Sequence, residues 1–301
     1  QGVGSDECGS ILPVGDTRGY ERVSVLDRVC EEICSMNIII PMAGAGKRFA
    51  EEGYTVHKPA IPTIDRRDGK TYPMVVCAAR DLPGVLKDGA NLTFIDRTFH
   101  QKDGVERDIS KYYPAASFIT VEALTQGQAC TCLLAKERID QEEALLIAGC
   151  DNGMVMDDHK FWELTDKCDV IVFTYRHNEG VLADPDAHGW VKVDQNDRIT
   201  GLSIKKAISD TPMEDHAVVA AFWFRHGSDF VSAAEKMISE NDRINNEFYV
   251  DGVIRHAMES GLDARVFEID RYLGWGTPKD YEEYMATIRY WEGFVNSSGF
   301  L

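Results

Sequence analysis

The sequence predicts an α/β fold, a doubly wound, mostly parallel sheet with an additional small mixed β-sheet. From residue 37 onward, short β-branched or apolar runs alternate with segments of helical spacing, which is the pattern of βαβ units. After about residue 187 strand-like runs follow one another directly, as they do in hairpins. The length of 301 residues is also enough for a large domain to bury most of its surface.

The chain begins with a segment that does not continue this pattern. Residues 1–19 mix Gly, Pro, Ser and Asp without hydrophobic periodicity, so we expect a loosely held arm. Residues 20–35 lack the continuous apolar core of a secretion signal. Their apolar side chains recur at spacings of three and four, which predicts a short amphipathic helix: Val23, Leu26, Cys30 and Ile33. We therefore predict an arm and short helix over 1–36, either packed on the main domain or ending a preceding one, and one domain over 37–301.

The first half of this domain provides the predicted parallel strands. They are short, rich in apolar and β-branched residues, and read in order "NIIIP", "NLTFID", "SFITVE", "ALLIAGCD" and "DVIVFTY". Two segments with helical spacing lie between them, "PMVVCAARDL" and "GQACTCLLAKERI". This alternation is the basis for predicting the doubly wound arrangement.

The second half predicts a hairpin, a further strand and two helices. "HGWVKVDQNDRITGLSIKK" is typical of a hairpin with "QND" at its turn, and "HAVVAAFWFRHG" of a strand. We expect these strands to form the mixed sheet beside the parallel one. "SDFVSAAEKMIS" follows with helical spacing, and the last predicted helix has Thr277 as its N-cap and Pro278 at its first position.

The charge balance argues against several classes of partner. The net charge of −18 and the sequence pI of about 4.8 oppose binding to nucleic acid or to an anionic membrane surface. No apolar run approaches the roughly 20 residues of a membrane span. The eight cysteines lack the C-x-x-C spacing of zinc sites, so we expect reduced thiols and a cytoplasmic protein. A polyanionic ligand would then need a local basic pocket or a divalent cation.

A glycine-rich turn follows the first predicted strand. Gly44 and Gly46 fit the start of a Rossmann fingerprint, but the bulky Phe49 occupies its third position. Lys47 follows Gly46 as in a Walker A loop, but Arg48 replaces the hydroxyl residue that would hold magnesium. A third interpretation is a loop whose backbone amides surround a nucleotide while Arg48 contacts its triphosphate.

The residues that follow favour this third interpretation. The order M-A-G-x-G-x-R-F from Met42, a spacer, and K-P-x-x-P from Lys58 resembles the signature of nucleotidyltransferases that activate sugar phosphates and related metabolites. Later segments are similar to other landmarks of that family: "TQGQACT", "LLIAGCDNGM", the hairpin, "NNEFYVDGVI" and "GWGTPKDYEEY". The resemblance covers about residues 37 to 285. It implies a GT-A-like core, transfer of a nucleoside monophosphate from an NTP to a phosphorylated acceptor, release of pyrophosphate, and Mg²⁺ as cofactor.

The resemblance also implies roles for individual residues. Arg48, Lys58 and Lys205 would contact phosphates, with Lys205 favoured over Lys206. Residues of the glycine turn and of the "TQGQ" segment would bind the nucleotide: Ala43, Gly44, Ala45, Gly46, Gln126 and Gly127. The oligomeric state stays open, although members of the family often form homodimers.

The metal and acceptor sites are implied in the same way. Asp151, which follows an apolar strand, would bind magnesium. Gly189 and Glu247 would contact the acceptor. Many members carry a second metal-binding Asp where this chain has Gly274 and Trp275, so the second ligand is open between Asp270, Asp251 and none.

One departure from the family concerns the acceptor. Sugar-activating members often have a Glu before the hairpin Lys, and Ile204 occupies that place here. We therefore expect a small non-pyranose phosphate or phosphonate, with CTP as the first donor to test and a capsule or cell-surface polysaccharide precursor as the kind of product. The alternatives are a hexose 1-phosphate acceptor, a GT-A glycosyltransferase and a non-catalytic nucleotide sensor. The glycosyltransferase usually shows an Asp-x-Asp motif, whereas this chain has Cys150, Asp151 and Asn152.

Overall fold

A nine-stranded mixed sheet forms the centre of the domain in the computed structural model, which describes residues 36–298 and the side chains of residues 36–294. The arm and helix predicted before residue 36 lie outside the described residues. Within this range no helix combines the length and apolar character needed to cross a membrane.

The strands and helices of the described range alternate along most of the chain. The strands are β1 (Asn37–Pro41), β2 (Pro62–Ile64), β3 (Thr71–Pro73), β4 (Leu92–Arg97), β5 (Ser117–Val121), β6 (Leu145–Ile147), β7 (Asn152–Val155), β8 (Val170–Tyr175), β9 (Gly189–Val193), β10 (Ile199–Ile204), β11 (His216–Phe224), β12 (Ala264–Glu268) and β13 (Arg271–Gly274). The α-helices are α1 (Lys47–Glu51), α2 (Met74–Arg80), α3 (Thr98–Lys102), α4 (Val105–Ser110), α5 (Gln128–Cys132), α6 (Lys136–Ile139), α7 (Asp158–Thr165), α8 (Gly227–Ser239), α9 (Val250–Glu259) and α10 (Pro278–Ser298).

The main sheet confirms the predicted fold class. Its strands lie in the order β12, β8, β11, β6, β1, β4, β5. The pairs β1 with β4, β1 with β6, β4 with β5, and β8 with β12 are parallel, and β11 runs antiparallel to both of its neighbours β6 and β8. All five strands predicted for the parallel part are present.

The predicted hairpin forms, but it joins the main sheet instead of making a sheet of its own. The nine-residue strand β11 is longer than its neighbour β6. Phe222 pairs with β6, while His216 and Ala217 extend past β6 and pair with β9. The additional small sheets come from other segments, since β2 pairs with β3 and β7 with β13, both antiparallel. The strands β12 and β13 were not predicted.

The apolar core lies on both faces of the sheet. Ile38 and Ile40 of β1 face the core that α2 covers, whereas Ile39 faces the core formed with α8 and α9. Successive side chains of a strand point to opposite faces, so a strand buried on both sides is apolar at every position. This explains the continuous "III" run before the glycine turn.

The C-terminal helix and the β7–β13 pair bring distant segments to the carboxyl end of β1. The Tyr281 hydroxyl donates to the Pro62 carbonyl at 2.6 Å, and the Tyr284 hydroxyl to that of Ile64 at 2.7 Å. At the start of α10, the Thr277 hydroxyl accepts the backbone N–H of Asp280 at 3.2 Å, as expected of an N-cap. The register of β13 with β7 pairs Gly274 with Asn152, so the chain before α10 lies beside the loop that follows β6.

Candidate active site

The glycine turn leads from β1 into the short helix α1. Gly46 has φ of 60° and ψ of 24°, a left-handed conformation that glycine adopts readily. Gly44 and Ala45 are exposed, whereas Ala43 is buried. The turn borders a cavity of about 260 Å³ lined by Ala45, Gly46, Lys47, Arg48, Phe49, Lys58 and Gly276. The glycine turn therefore lines the same cavity as Arg48 and Lys58, the two cations predicted to contact phosphate.

Lys58 and Asp151, separated by 93 positions, form an ion pair at this cavity. The Lys58 ammonium donates to the Asp151 carboxylate and, at 3.3 Å, to the Gly276 carbonyl. Burial by itself lowers the Lys58 pKa, but the adjacent Asp151 carboxylate outweighs that effect and raises the pKa above its usual value. The cation is therefore retained at neutral pH.

Asp151 lies in the loop between β6 and β7, where its backbone is fixed by the chain leading to α10. Its carbonyl accepts the Trp275 N–H at 2.9 Å. A Cβ atom on Gly276 would lie 3.2 Å from Asp151 Oδ2, so a side chain there would press on the carboxylate. Gly274 and Trp275, which occupy the place where the resemblance implied a second metal-binding Asp, are thus spatial neighbours of Asp151.

Asp270, one of the two candidates for a second metal ligand, lies at the other end of the β7–β13 pair. Its backbone N–H donates to the Val155 carbonyl at 2.9 Å, and its side chain is exposed. The register places about five residues of strand, or roughly 16 Å, between Asp151 and Asp270, too far to share one ion. Residues 36–298 contain no cluster of three or more His, Cys, Asp or Glu suited to a metal.

The donor set still fits magnesium brought by a nucleotide. Mg²⁺ often binds through one or two carboxylates together with substrate phosphates and water. Asp151 supplies one carboxylate beside a glycine turn and two cations suited to phosphate. The residues therefore fit a nucleotide-bound Mg²⁺ ion better than a metal held by protein ligands alone.

The "TQGQ" segment packs against the loop before α9. The Phe248 N–H donates to the Gln126 carbonyl at 2.9 Å, and the Ala129 N–H to the Phe248 carbonyl at 3.0 Å. Gly127 has φ of 136°, and a Cβ atom there would lie 2.5 Å from the Phe248 backbone N and O. The contact that requires a glycine at 127 is thus a close approach of two backbones, and the Gln126 side chain is left exposed.

A second cavity, of about 210 Å³, lies at the end of the hairpin. It is lined by Gln128, Ala187, His188, Gly189, Ile204, Lys205, Val218, Ala220, Tyr249 and Asp251. The Lys205 ammonium donates to the Ala187 carbonyl and lies 5.6 Å from the centroid of the Tyr249 ring. Lys206 is exposed and does not line the cavity, whereas Lys205 does. Ile204 is buried and adds apolar surface.

Asp251, which the sequence left open as a metal ligand, lies in this second cavity. It belongs to the first turn of α9. Burial raises its pKa, and the Lys205 charge opposes that shift. Gly189 makes room for it, because a Cβ atom at that position would collide with Asp251 Oδ1.

Glu247, the other residue predicted to contact the acceptor, is exposed and lies outside the lining of this cavity. Its charge still acts on Tyr249, because burial and the nearby Glu247 carboxylate raise the Tyr249 pKa to about 12.

Tyr272 of β13 connects the two regions electrostatically. Burial raises its pKa well above the usual value, and the charges of Asp151 and Asp280 add to the shift. Asp280 also acts on His188, which lines the second cavity. The charge of Asp280, at the start of α10, thus acts on a group in each of the two regions.

Comparisons with known proteins support the fold. No protein-family model matches the chain, and no curated protein matches it in sequence. Solved structures do resemble it. A nucleoside-diphosphate-sugar pyrophosphorylase from Vibrio cholerae RC9 is 18% identical with a TM-score of 0.65, covering 83% of this chain and 99% of its own.

Two further solved structures resemble this chain over most of its length. A candidate glucose-1-phosphate thymidylyltransferase from Bacillus anthracis, crystallised with sucrose, is 19% identical with a TM-score of 0.62, covering 84% of this chain and 95% of its own. The inositol-1-phosphate CTP transferase from T. maritima is 15% identical with a TM-score of 0.58, covering 85% of this chain and 97% of its own. The chain therefore has a nucleotidyltransferase fold, and the resemblance seen in the sequence is confirmed at that level.

Proposed function

We propose that this chain transfers a nucleoside monophosphate from an NTP to a phosphate or phosphonate oxygen of a small acceptor and releases pyrophosphate. The observation that carries the proposal is that the glycine turn and Lys58 line one cavity and Asp151 pairs with that lysine, so three separate segments of a nucleotidyltransferase fold meet there. CTP is the donor to test first, because one neighbour of this fold is a CTP transferase.

The protein's task in this reaction is to hold two anions together. The acceptor oxygen attacks the α-phosphorus in line, and no covalent intermediate with the protein is needed. An acceptor phosphate is largely ionised at neutral pH, so positioning and charge stabilisation dominate. Arg48 and the turn amides hold the leaving pyrophosphate, while Lys58 and Lys205 neutralise the donor and acceptor phosphates. These local cations allow a chain of net charge −18 to bind polyanions.

Asp151 would hold magnesium together with the nucleotide phosphates. When bound, the ion would neutralise charge on the triphosphate and on the leaving pyrophosphate. Lys58, which pairs with Asp151 in the structure, would then exchange this contact for a phosphate oxygen. The ion pair thus keeps both groups in place until the nucleotide binds.

Ile204 leads to a prediction about the acceptor. A buried carboxylate that binds ring hydroxyls selects for a sugar, whereas a buried apolar side chain penalises any hydroxyl that it desolvates. We expect a small non-pyranose phosphate or phosphonate to have a higher kcat/KM than glucose 1-phosphate when the two compete at equal concentration. A clear preference for a hexose 1-phosphate would refute this expectation and favour a sugar-phosphate nucleotidyltransferase, the activity named for a structural neighbour.

The general test is a screen of the four NTPs against phosphorylated sugars, polyols and amino compounds, with pyrophosphate detection. Pyrophosphate released only when donor and acceptor are both present supports the proposal. A glycosyltransferase or a nucleotide sensor releases none. In the proposed reaction the product is an activated precursor of the type used for capsule or cell-surface polysaccharides.

A further inference from the structure

The Asp251 carboxylate lines the second cavity, where no described residue forms an ion pair with it. Among the described residues, this carboxylate also accepts no hydrogen bond from another side chain, and only its own backbone N–H donates to it. Its place in the first turn of α9 gives a favourable interaction with the helix dipole, which is typically worth about 0.3–1 kcal/mol and supplies no counter-charge. A partly buried carboxylate of this kind is costly to keep ionised unless a ligand compensates it.

The nearest cation in the cavity does not fill this role. Lys205 acts on Asp251 electrostatically, but its ammonium is directed to the Ala187 carbonyl and the face of the Tyr249 ring. A carbonyl oxygen and an aromatic face are both groups that bind cations. Beside Asp251 the chain therefore presents a set of groups suited to a second positive charge.

We propose that the acceptor carries a primary ammonium group in addition to its phosphate or phosphonate, and that Asp251 binds this ammonium. The inference rests on the proposed nucleotidyl transfer, in which Lys205 binds the acceptor phosphate. When Lys205 turns to that phosphate, the Ala187 carbonyl and the Tyr249 ring are left for the ammonium. The acceptor class is thus a small aminoalkyl phosphate or phosphonate.

Three features favour this class over others. A hydroxyl group brings no charge to compensate Asp251, and a quaternary ammonium has no N–H to donate to Asp251 and Ala187, whereas a primary ammonium has three. The volume of about 210 Å³ lies below the roughly 300–1,000 Å³ of sites for drug-sized ligands. Ile204 offers no hydrogen bond to a sugar ring.

The test compares three acceptors of similar size: 2-aminoethyl phosphate, 2-hydroxyethyl phosphate and propyl phosphate. Each is assayed on the full chain with Mg²⁺ and the NTP that the screen selects. We expect kcat/KM for the amine to exceed that of propyl phosphate by about 100-fold or more, and that of the hydroxyl compound by about tenfold, because removing the partner of a buried charge costs the most. Equal values, or a preference for the hydroxyl compound, would overturn the inference.

Substitutions assign the preference to Asp251. Asp251→Asn keeps the shape of the side chain and should lower kcat/KM for the amine about 30-fold while changing that for propyl phosphate by less than about threefold. Gly189→Ala should also lower kcat/KM for the amine, because the new Cβ displaces the Asp251 carboxylate. Asp229→Asn is the matched control, since Asp229 is also an acidic residue in the first turn of a helix but lies on α8 away from the cavity. An equal loss with all three acceptors in Asp251→Asn would refute ammonium recognition.

Binding measurements separate this inference from the proposed function. Phosphorus NMR titration without NTP reports binding of 2-aminoethyl phosphate and propyl phosphate independently of turnover. Selective binding of the amine that Asp251→Asn abolishes, without pyrophosphate release in any assay, would support the inference and reject nucleotidyl transfer. Pyrophosphate release without a preference for the amine would reject only the inference about the ammonium. The absence of both binding and pyrophosphate release would reject the inference and the proposed function together.

Discussion

The two cavities contain the same types of charged group in opposite arrangements. At the glycine turn, Lys58 and Asp151 pair directly with each other. At the end of the hairpin, Lys205 and Asp251 line one cavity, but the lysine binds a carbonyl oxygen, and the carboxylate forms no ion pair with any described residue. The paired site suits a ligand that brings a negative charge for Lys58 and a positive charge for Asp151, such as a nucleotide with its magnesium ion. An unpaired site suits a ligand whose own charges lie apart.

The largest expected effect comes from removing the carboxylate of the paired site. Asp151→Asn should lower turnover at least about 100-fold, or about 2.7 kcal/mol of barrier, because the amide cannot provide the negative charge that binds Mg²⁺. Steady-state pyrophosphate release as a function of Mg²⁺ concentration measures it. A variant that retains more than about a tenth of the activity would exclude Asp151 as the metal ligand. Asp270→Asn, at the far end of the same strand pair, should have little effect, and an equal loss would contradict the register argument.

The next effect tests the cation of the unpaired site. Lys205→Gln should lower kcat/KM for the acceptor about 30-fold, or roughly 2 kcal/mol, since a charged contact to phosphate is lost. Lys206→Gln provides the matched control, because Lys206 is adjacent in sequence but exposed and outside the cavity. Similar kinetics for the two variants would mean that neither lysine binds the acceptor phosphate.

Arg48 should contribute less, because its side chain is exposed at the edge of the first cavity. Arg48→Ala should raise KM for the NTP and lower kcat together, by about tenfold in kcat/KM or about 1.4 kcal/mol. Titration of the NTP at saturating acceptor separates the two parameters. Unchanged kinetics would assign the turn a structural role only.

The smallest effect tests the difference in pairing itself. A double-mutant cycle of Lys58→Met and Asp151→Asn, measured by urea unfolding, should give a coupling energy of about 1 kcal/mol, as expected for contacting charges that are mostly buried. The corresponding cycle of Lys205→Met and Asp251→Asn should give less than about 0.5 kcal/mol. Equal coupling in the two cycles would remove the distinction between the sites.

Sequence alone was sufficient for the parts of this protein that depend on local pattern. Alternating apolar and helical segments predicted the parallel strands and hence the fold class, because the apolar residues of each strand indicate by themselves that the strand is buried. The glycine turn, Lys58 and Asp151 could be chosen as site residues because each lies in a motif of fixed spacing or directly after a strand. Lys205 was preferred to Lys206 on the same basis.

Tertiary structure decided how these segments meet. The length of β11 placed the hairpin in the main sheet, and the unpredicted pairing of β7 with β13 separated Asp270 from Asp151 while bringing Gly276 to it. Gly127 approaches the Phe248 backbone, and Gly189 makes room for Asp251, through contacts between residues more than 60 positions apart. Such contacts have no local sequence signal, because strand register and the packing of a loop on a distant helix depend on the whole fold. For this reason Lys205 could be proposed as a phosphate ligand from the sequence, whereas the position of Asp251 in the same cavity, without an ion pair among the described residues, was found only in the structure.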